Sequence, residues 1–160
     1  MPIALLTVFH TTVSLVGIAS GLVVVLGMLG ARRLPGLTAL FLLTTLATSA
    51  TGFLFPFTRF GQGHAIGVLS LVVLVPTLLG LYRFRLTGPW RWIYAAGAVT
   101  VLWLNVVVGI AQMFGRLAFL HALAPTQTEP PFRVTQVVVL GLFIVLGVFA
   151  VRRFHPAATA

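Results

Sequence analysis

The stretch LLTVFHTTVSLVGIASGLVVVLGMLG, residues 5–30, contains no Asp, Glu, Lys or Arg, and it decides the class of fold. A helix needs about 20 apolar residues to cross the hydrocarbon core of a bilayer, so this stretch is long enough to span it. Four further stretches have a similar character. The sequence therefore predicts an all-α polytopic membrane protein, a single bundle over residues 1–160 with about five transmembrane helices, near 5–30, 37–56, 64–84, 92–114 and 130–151.

The composition favours the same class. Apolar residues make up 59% of the chain and charged residues 7%, and the mean hydropathy is +1.13. Soluble domains carry roughly 25% charged residues. Without Cys, Asp or Lys, the chain has no disulfide, thiolate site, Ser-His-Asp triad or Schiff-base lysine. Whether the protein is an enzyme stays open, and the lipid bilayer is its expected partner.

The formal charge of +9 comes from arginines that lie at the ends of apolar stretches, as topology signals do. No nucleic-acid partner is expected from this pattern. Seven arginines fall on one side of the predicted membrane and three on the other, which predicts an outer amino terminus and a cytoplasmic carboxyl terminus. The larger group is Arg32, Arg33, Arg83, Arg85, Arg91, Arg152 and Arg153, and the smaller group is Arg59, Arg116 and Arg133.

Small and polar residues recur at helical spacing on the first two predicted helices. Such stripes usually serve helix packing, because small residues let two helices approach closely. The stripe on the first helix is Thr7, His10, Ser14, Gly17 and Gly21, and the stripe on the second is Thr44, Thr48 and Thr51.

Three histidines and the only acidic residue of the chain are predicted at the outer end of the bundle. They are His10, His64, His121 and Glu129, and Gln112 and Gln136 fall at the same level. Each histidine alone is typical of a water-facing helix end, but their common depth indicates a candidate site. A second interpretation of Glu129 is structural, with Thr128 as helix cap and the carboxylate in the first turn of a helix that starts at Pro130.

Three functions suit these residues. The first is a membrane redox protein that binds haem b or a quinone, or both, with His10 and His64 as preferred ligands and His121 as their competitor. In this function Gln112, Gln136 and Glu129 would orient the ligand or handle protons. The second is a divalent-metal site, plausibly zinc, formed by His10, His64, His121 and Glu129. The third is a non-enzymatic accessory or assembly subunit that binds another membrane protein or further copies of itself.

Three segments carry a resemblance to a known group. They are ATSATGFLFPF (47–57), GHAIGVLSLVVL (63–74) and LAPTQTEPPF (123–132). The chain resembles a group of small uncharacterised bacterial inner-membrane proteins with TGF-FPF-type and APTQ-EPPF-type signatures. The resemblance implies a multi-pass protein of a bacterial inner membrane, and it implies no substrate, cofactor or catalytic residue.

Overall fold

The computed structural model describes residues 3–56 and 61–156, and this part of the chain is helical with no β-strand. Six α-helices follow one another, and a five-residue π-helix continues the third. Their bounds are α1 Ile3–Leu29, α2 Pro35–Gly52, α3 Gln62–Leu78, the π-helix Leu79–Arg83, α4 Trp90–Arg116, α5 Ala118–Leu123 and α6 Pro130–Arg153.

Four of the described helices are long and apolar enough to cross a membrane, which is consistent with a helical membrane protein in contact with lipid. They are α1, α3 together with its π-helical extension, α4 and α6. The helix α2 has 18 residues and is rich in threonine, and it does not belong to this set. The predicted fifth span and the predicted orientation stay predictions. The count of arginines also includes Arg59, which lies outside the described residues.

The predicted helix bounds lie within two residues of the observed ones except at the end of the second helix. The second helix was predicted to reach residue 56, but it ends at Gly52, because the residue before Pro56 disfavours the helical conformation. The sixth helix does begin at Pro130, as predicted, but its cap is Glu129 and not Thr128. The Glu129 side chain makes no capping hydrogen bond to the helix, because its carboxylate turns back toward the preceding loop.

The helix α4 forms the centre of the bundle and packs against α1, α2, α3 and α6. Glycines allow its closest approaches to other helices. Gly21 of α1 faces Phe41 and Leu102, and a Cβ added there would lie 2.7 Å from both side chains. Gly97 of α4 receives the side chain of Thr77, which is fully buried. These contacts close the apolar core.

The predicted stripes on the first two helices meet in the interface between α1 and α2. The Ser14 hydroxyl lies 3.3 Å from that of Thr48, and a Cβ at Gly17 would lie 3.1 Å from the hydroxyl oxygen of Thr44. The stripes are therefore packing surfaces along most of their length, as the spacing predicts.

Candidate functional site

Two of the three predicted histidines contact the same turn at one end of the bundle. His10 of α1 and His64 of α3 both contact the turn that follows α2. The His10 ring meets the edge of Phe55 at a centroid distance of 5.3 Å, and the His64 ring lies 5.9 Å from that of Phe53. Gly67 leaves room for this turn, because the Phe53 ring lies 3.3 Å from the position that a Cβ would take. Both imidazoles are half-buried.

A hydrogen bond to Thr51 fixes the tautomer of His10. The Thr51 hydroxyl donates its proton to the carbonyl of Ala47 at 2.7 Å, as threonines in helices commonly do. Its oxygen lies 2.9 Å from Nδ1 of His10 and can therefore only accept there. We infer that Nδ1 carries the proton and that Nε2 of the neutral ring holds a lone pair. This is the arrangement in which histidines bind metals or accept hydrogen bonds from ligands.

The opposite tautomer follows for His64. The backbone N–H of Gly61, which precedes α3, donates a long hydrogen bond of 3.4 Å to Nδ1 of His64. Because an amide N–H can only donate, Nδ1 carries the lone pair and the proton of the neutral ring lies on Nε2. The two imidazoles at this end of the bundle thus differ in the nitrogen that carries the proton.

The third histidine does not join them. His121 lies on the short helix α5, and its side chain is exposed. The predicted glutamines have structural contacts. Gln112 is exposed and accepts a hydrogen bond from Arg116 at 3.1 Å, and Gln136 donates to the carbonyl of Val107 at 3.2 Å, which ties α6 to α4.

Glu129 is held within its own loop. One carboxylate oxygen accepts from the backbone N–H and the hydroxyl of Thr126, at 3.2 and 2.8 Å. The other accepts from the backbone N–H of Thr128 at 3.0 Å. Desolvation raises the pKa of this carboxyl, but these hydrogen bonds outweigh it and hold the pKa below its ordinary value. The carboxylate therefore stabilises the loop before α6.

No group of three or more His, Asp or Glu side chains that could hold a metal ion occurs in residues 3–56 and 61–156. The four residues of the predicted zinc site are all described, so the structure does not assemble that site. The reason is that α5 directs His121 away from the bundle and the threonines hold Glu129.

The described part of the bundle contains two cavities that the sequence did not indicate. One is an open groove of about 570 Å³ along α4 and α6, lined mainly by apolar side chains. Trp103 lines it, and its indole N–H has no hydrogen-bond partner within the described part of the chain. The other, of about 210 Å³, lies at the end of the bundle opposite the histidines and is lined by Arg32, Arg33 and Tyr94. Tyr94 is only 2% exposed, because α4 turns it into the bundle.

Comparison with known protein families, with curated proteins and with solved structures finds no match to this chain. The resemblance to small bacterial inner-membrane proteins stays a prediction.

Proposed function

We propose that this chain is a membrane-embedded redox protein that binds a quinone head group at the end of the bundle where His10 and His64 lie. The observation that carries the proposal is the hydrogen bond between Nδ1 of His10 and the Thr51 hydroxyl, which leaves the lone pair of the neutral ring on Nε2. A quinol hydroxyl can donate a hydrogen bond to that nitrogen. The rings of Phe53 and Phe55 add apolar aromatic surface beside both imidazoles, which suits a flat apolar ligand.

A quinone fits these side chains better than a haem held by two histidines. An axial ligand needs an unprotonated nitrogen toward the iron. His10 meets this condition at Nε2, but the proton of His64 lies on Nε2 and its Nδ1 accepts from Gly61. Binding through both rings would require His64 to change its tautomer and give up the hydrogen bond that it makes at the start of α3. After a quinone, the ligand that this arrangement favours is haem b held by His10 alone.

The proposal includes the location and the topology. The protein crosses a bacterial inner membrane five times, with its amino terminus outside, so that His10 and His64 lie near the outer leaflet. The distribution of arginines and the resemblance to bacterial inner-membrane proteins support this part. A fusion of alkaline phosphatase or green fluorescent protein to residue 160 tests it. Fluorescence without phosphatase activity is expected, and the opposite result would overturn the orientation.

The binding proposal is tested on protein purified in mild detergent and titrated with decylubiquinone. Wild-type protein is expected to bind, and His10→Ala is expected to weaken binding at least tenfold. The matched controls are His121→Ala and His155→Ala, because both side chains are exposed and neither contacts the turn after α2. Equal binding by wild type and His10→Ala would overturn the proposal. A Soret band in the isolated wild-type protein that is lost in His10→Ala would show that the ligand is haem and not a quinone.

A role as an accessory subunit or homo-oligomer is the second candidate, and the exposure of α6 favours it. This helix is the least buried of the four apolar helices, and large side chains such as Val137, Leu142 and Ile144 are more than half exposed. Cross-linking in native membranes through a cysteine introduced by Leu142→Cys tests this role, since the chain has no cysteine of its own. A specific adduct through α6 would support it, and monomeric protein alone would contradict it.

A further inference from the structure

The smaller cavity lies where the connection between α1 and α2, the π-helix, the start of α4 and the end of α6 meet. Its volume of about 210 Å³ is below the roughly 300–1,000 Å³ of pockets for drug-sized ligands. Its polar lining is a set of charged and hydroxyl side chains: Arg32, Arg33, Thr38, Tyr82 and Tyr94. The rest of the lining is apolar, so the two guanidinium groups and three hydroxyls are the groups that could hold an anion there.

No acidic side chain of the protein can neutralise these two arginines. Glu129 is the only acidic residue of the chain, and it precedes the first residue of α6. Phe154, which lines the cavity, follows the last residue of the same 24-residue helix. At 1.5 Å per residue the helix separates the two ends by about 36 Å. The two arginines at the cavity therefore have no carboxylate side chain of this protein within reach.

The backbone fixes the position of the arginines. After α1, the N–H of Arg32 donates to the carbonyl of Gly27 at 2.9 Å, and the N–H of Ala31 donates to that of Met28 at 3.0 Å. This pair of bonds is a Schellman motif. Ala31 occupies its left-handed position with φ of 54°, where glycine is usual. The hydrogen bonds at this helix end thus restrict the backbone just before the cavity, which Arg32 and Arg33 line.

The opposite wall is equally constrained. Leu86 lines the cavity with φ of 62°, an unusual conformation for a bulky residue, and its N–H donates to the carbonyl of Gly80 at 2.9 Å. Tyr94 and Thr38 also line the cavity and are only 2% and 6% exposed. Non-glycine residues in left-handed conformations often occur at ligand sites, where the surrounding structure holds them.

We propose that this cavity binds a phosphate group, with Arg32 and Arg33 as its charged ligands. Guanidinium groups form strong paired hydrogen bonds with phosphate oxygens. The hydroxyls of Tyr82 and Tyr94 can donate further hydrogen bonds, and the small volume admits one phosphate group, so that any larger part of a ligand lies outside the cavity. The phosphate comes either from an anionic lipid head group, because the cavity lies at a bundle end, or from free phosphate.

Two titrations distinguish these sources, both on delipidated protein in a non-ionic detergent. The first adds phosphatidylglycerol, with phosphatidylcholine for comparison, and counts bound lipids by native mass spectrometry. The second adds inorganic phosphate and follows its ³¹P line width. The test variant is Arg32→Gln with Arg33→Gln. The matched control is Arg83→Gln with Arg153→Gln, which removes the same charge from two arginines that pack on phenylalanine rings and do not line the cavity.

Binding of phosphatidylglycerol that falls at least tenfold in the test variant, and less than twofold in the control, supports the lipid source. The same pattern for inorganic phosphate supports free phosphate. Tyr94→Phe, which keeps the ring, is expected to weaken binding about two- to tenfold, as the loss of one hydrogen bond does. The proposal is overturned if the wild type binds neither ligand, or if the control variant loses as much binding as the test variant.

Discussion

The hydroxyl of Thr51 accepts a hydrogen bond from Nδ1–H of His10 because it donates its own hydrogen bond to the carbonyl of Ala47. One threonine on α2 thus decides which nitrogen of a histidine on α1 is free to meet a ligand. The threonine belongs to a stripe that otherwise only packs the two helices together. The same helical spacing thus places Thr48 against Ser14, where it packs, and Thr51 against His10, where it orients the imidazole.

Thr51→Val is expected to let His10 adopt both neutral tautomers, because valine keeps the shape of threonine and removes the hydrogen-bond acceptor. In ¹⁵N-histidine-labelled protein, the wild-type ring should show a protonated Nδ1, and the variant a mixture of both tautomers. Quinone affinity is expected to fall about two- to tenfold. Thr51→Ser, which restores the hydroxyl, should recover both properties. An unchanged His10 spectrum in Thr51→Val would contradict the role of the threonine.

Gly21→Ala is expected to destabilise the bundle, because the new Cβ would lie 2.7 Å from Phe41 and Leu102. Overpacking of this kind costs about 1–3 kcal/mol, which exceeds the gain of roughly 0.5–1 kcal/mol from replacing a helical glycine by alanine. Gly141→Ala is the matched control, since nothing lies within 4 Å of a Cβ there. Thermal unfolding in detergent should show a lower Tm for Gly21→Ala alone. A wild-type Tm for this variant would show that the core can relax around the added methyl group.

The sequence predicts the contacts of this bundle that follow from helical periodicity. Residues such as Ser14 and Gly17 share a face at any position of the helix, so their contacts with Thr48 and Thr44 follow once α1 and α2 pair. The common level of His10 and His64 likewise follows from the alternation of spans. The position of His121 does not, because α5 is a short separate helix whose direction depends on the loops around it.

The cavity at Arg32 and Arg33 was missed for a different reason. Arginines after an apolar stretch are sufficiently explained as topology signals, so their presence does not indicate a cavity. Their approach to Tyr94 depends on how α4 is rotated in the bundle, and a single sequence gives no measure of that rotation. The same holds for Leu86, since its left-handed conformation comes from packing and not from its residue type.

Arg91→Ala is expected to loosen the end of α6. The Arg91 guanidinium donates to the carbonyls of Phe154 and Val151, at 2.8 and 3.2 Å, and so satisfies groups that a helix end leaves without partners. Hydrogen exchange of residues 150–155 should become faster in this variant, while exchange within α1 stays unchanged. Arg85→Ala is the control, because its side chain is exposed and forms no such bond. Equal protection in both variants would contradict the role of Arg91.

Because Glu129 is the only glutamate, ¹³C-glutamate labelling gives a single carboxyl signal whose pH titration can be followed directly. Its pKa is expected below the ordinary glutamate value, since hydrogen bonds from Thr126 and Thr128 stabilise the charged form more than desolvation destabilises it. A folded-state pKa below the unfolded value stabilises the loop at pH above the unfolded pKa, and this stabilisation is lost as the pH falls through the folded pKa. Thr126→Ala should raise the pKa toward its ordinary value, whereas Thr135→Ala, which removes an exposed hydroxyl bonded to Pro131, should leave it unchanged. An ordinary pKa in the wild type would mean that the carboxylate does not hold this loop in solution.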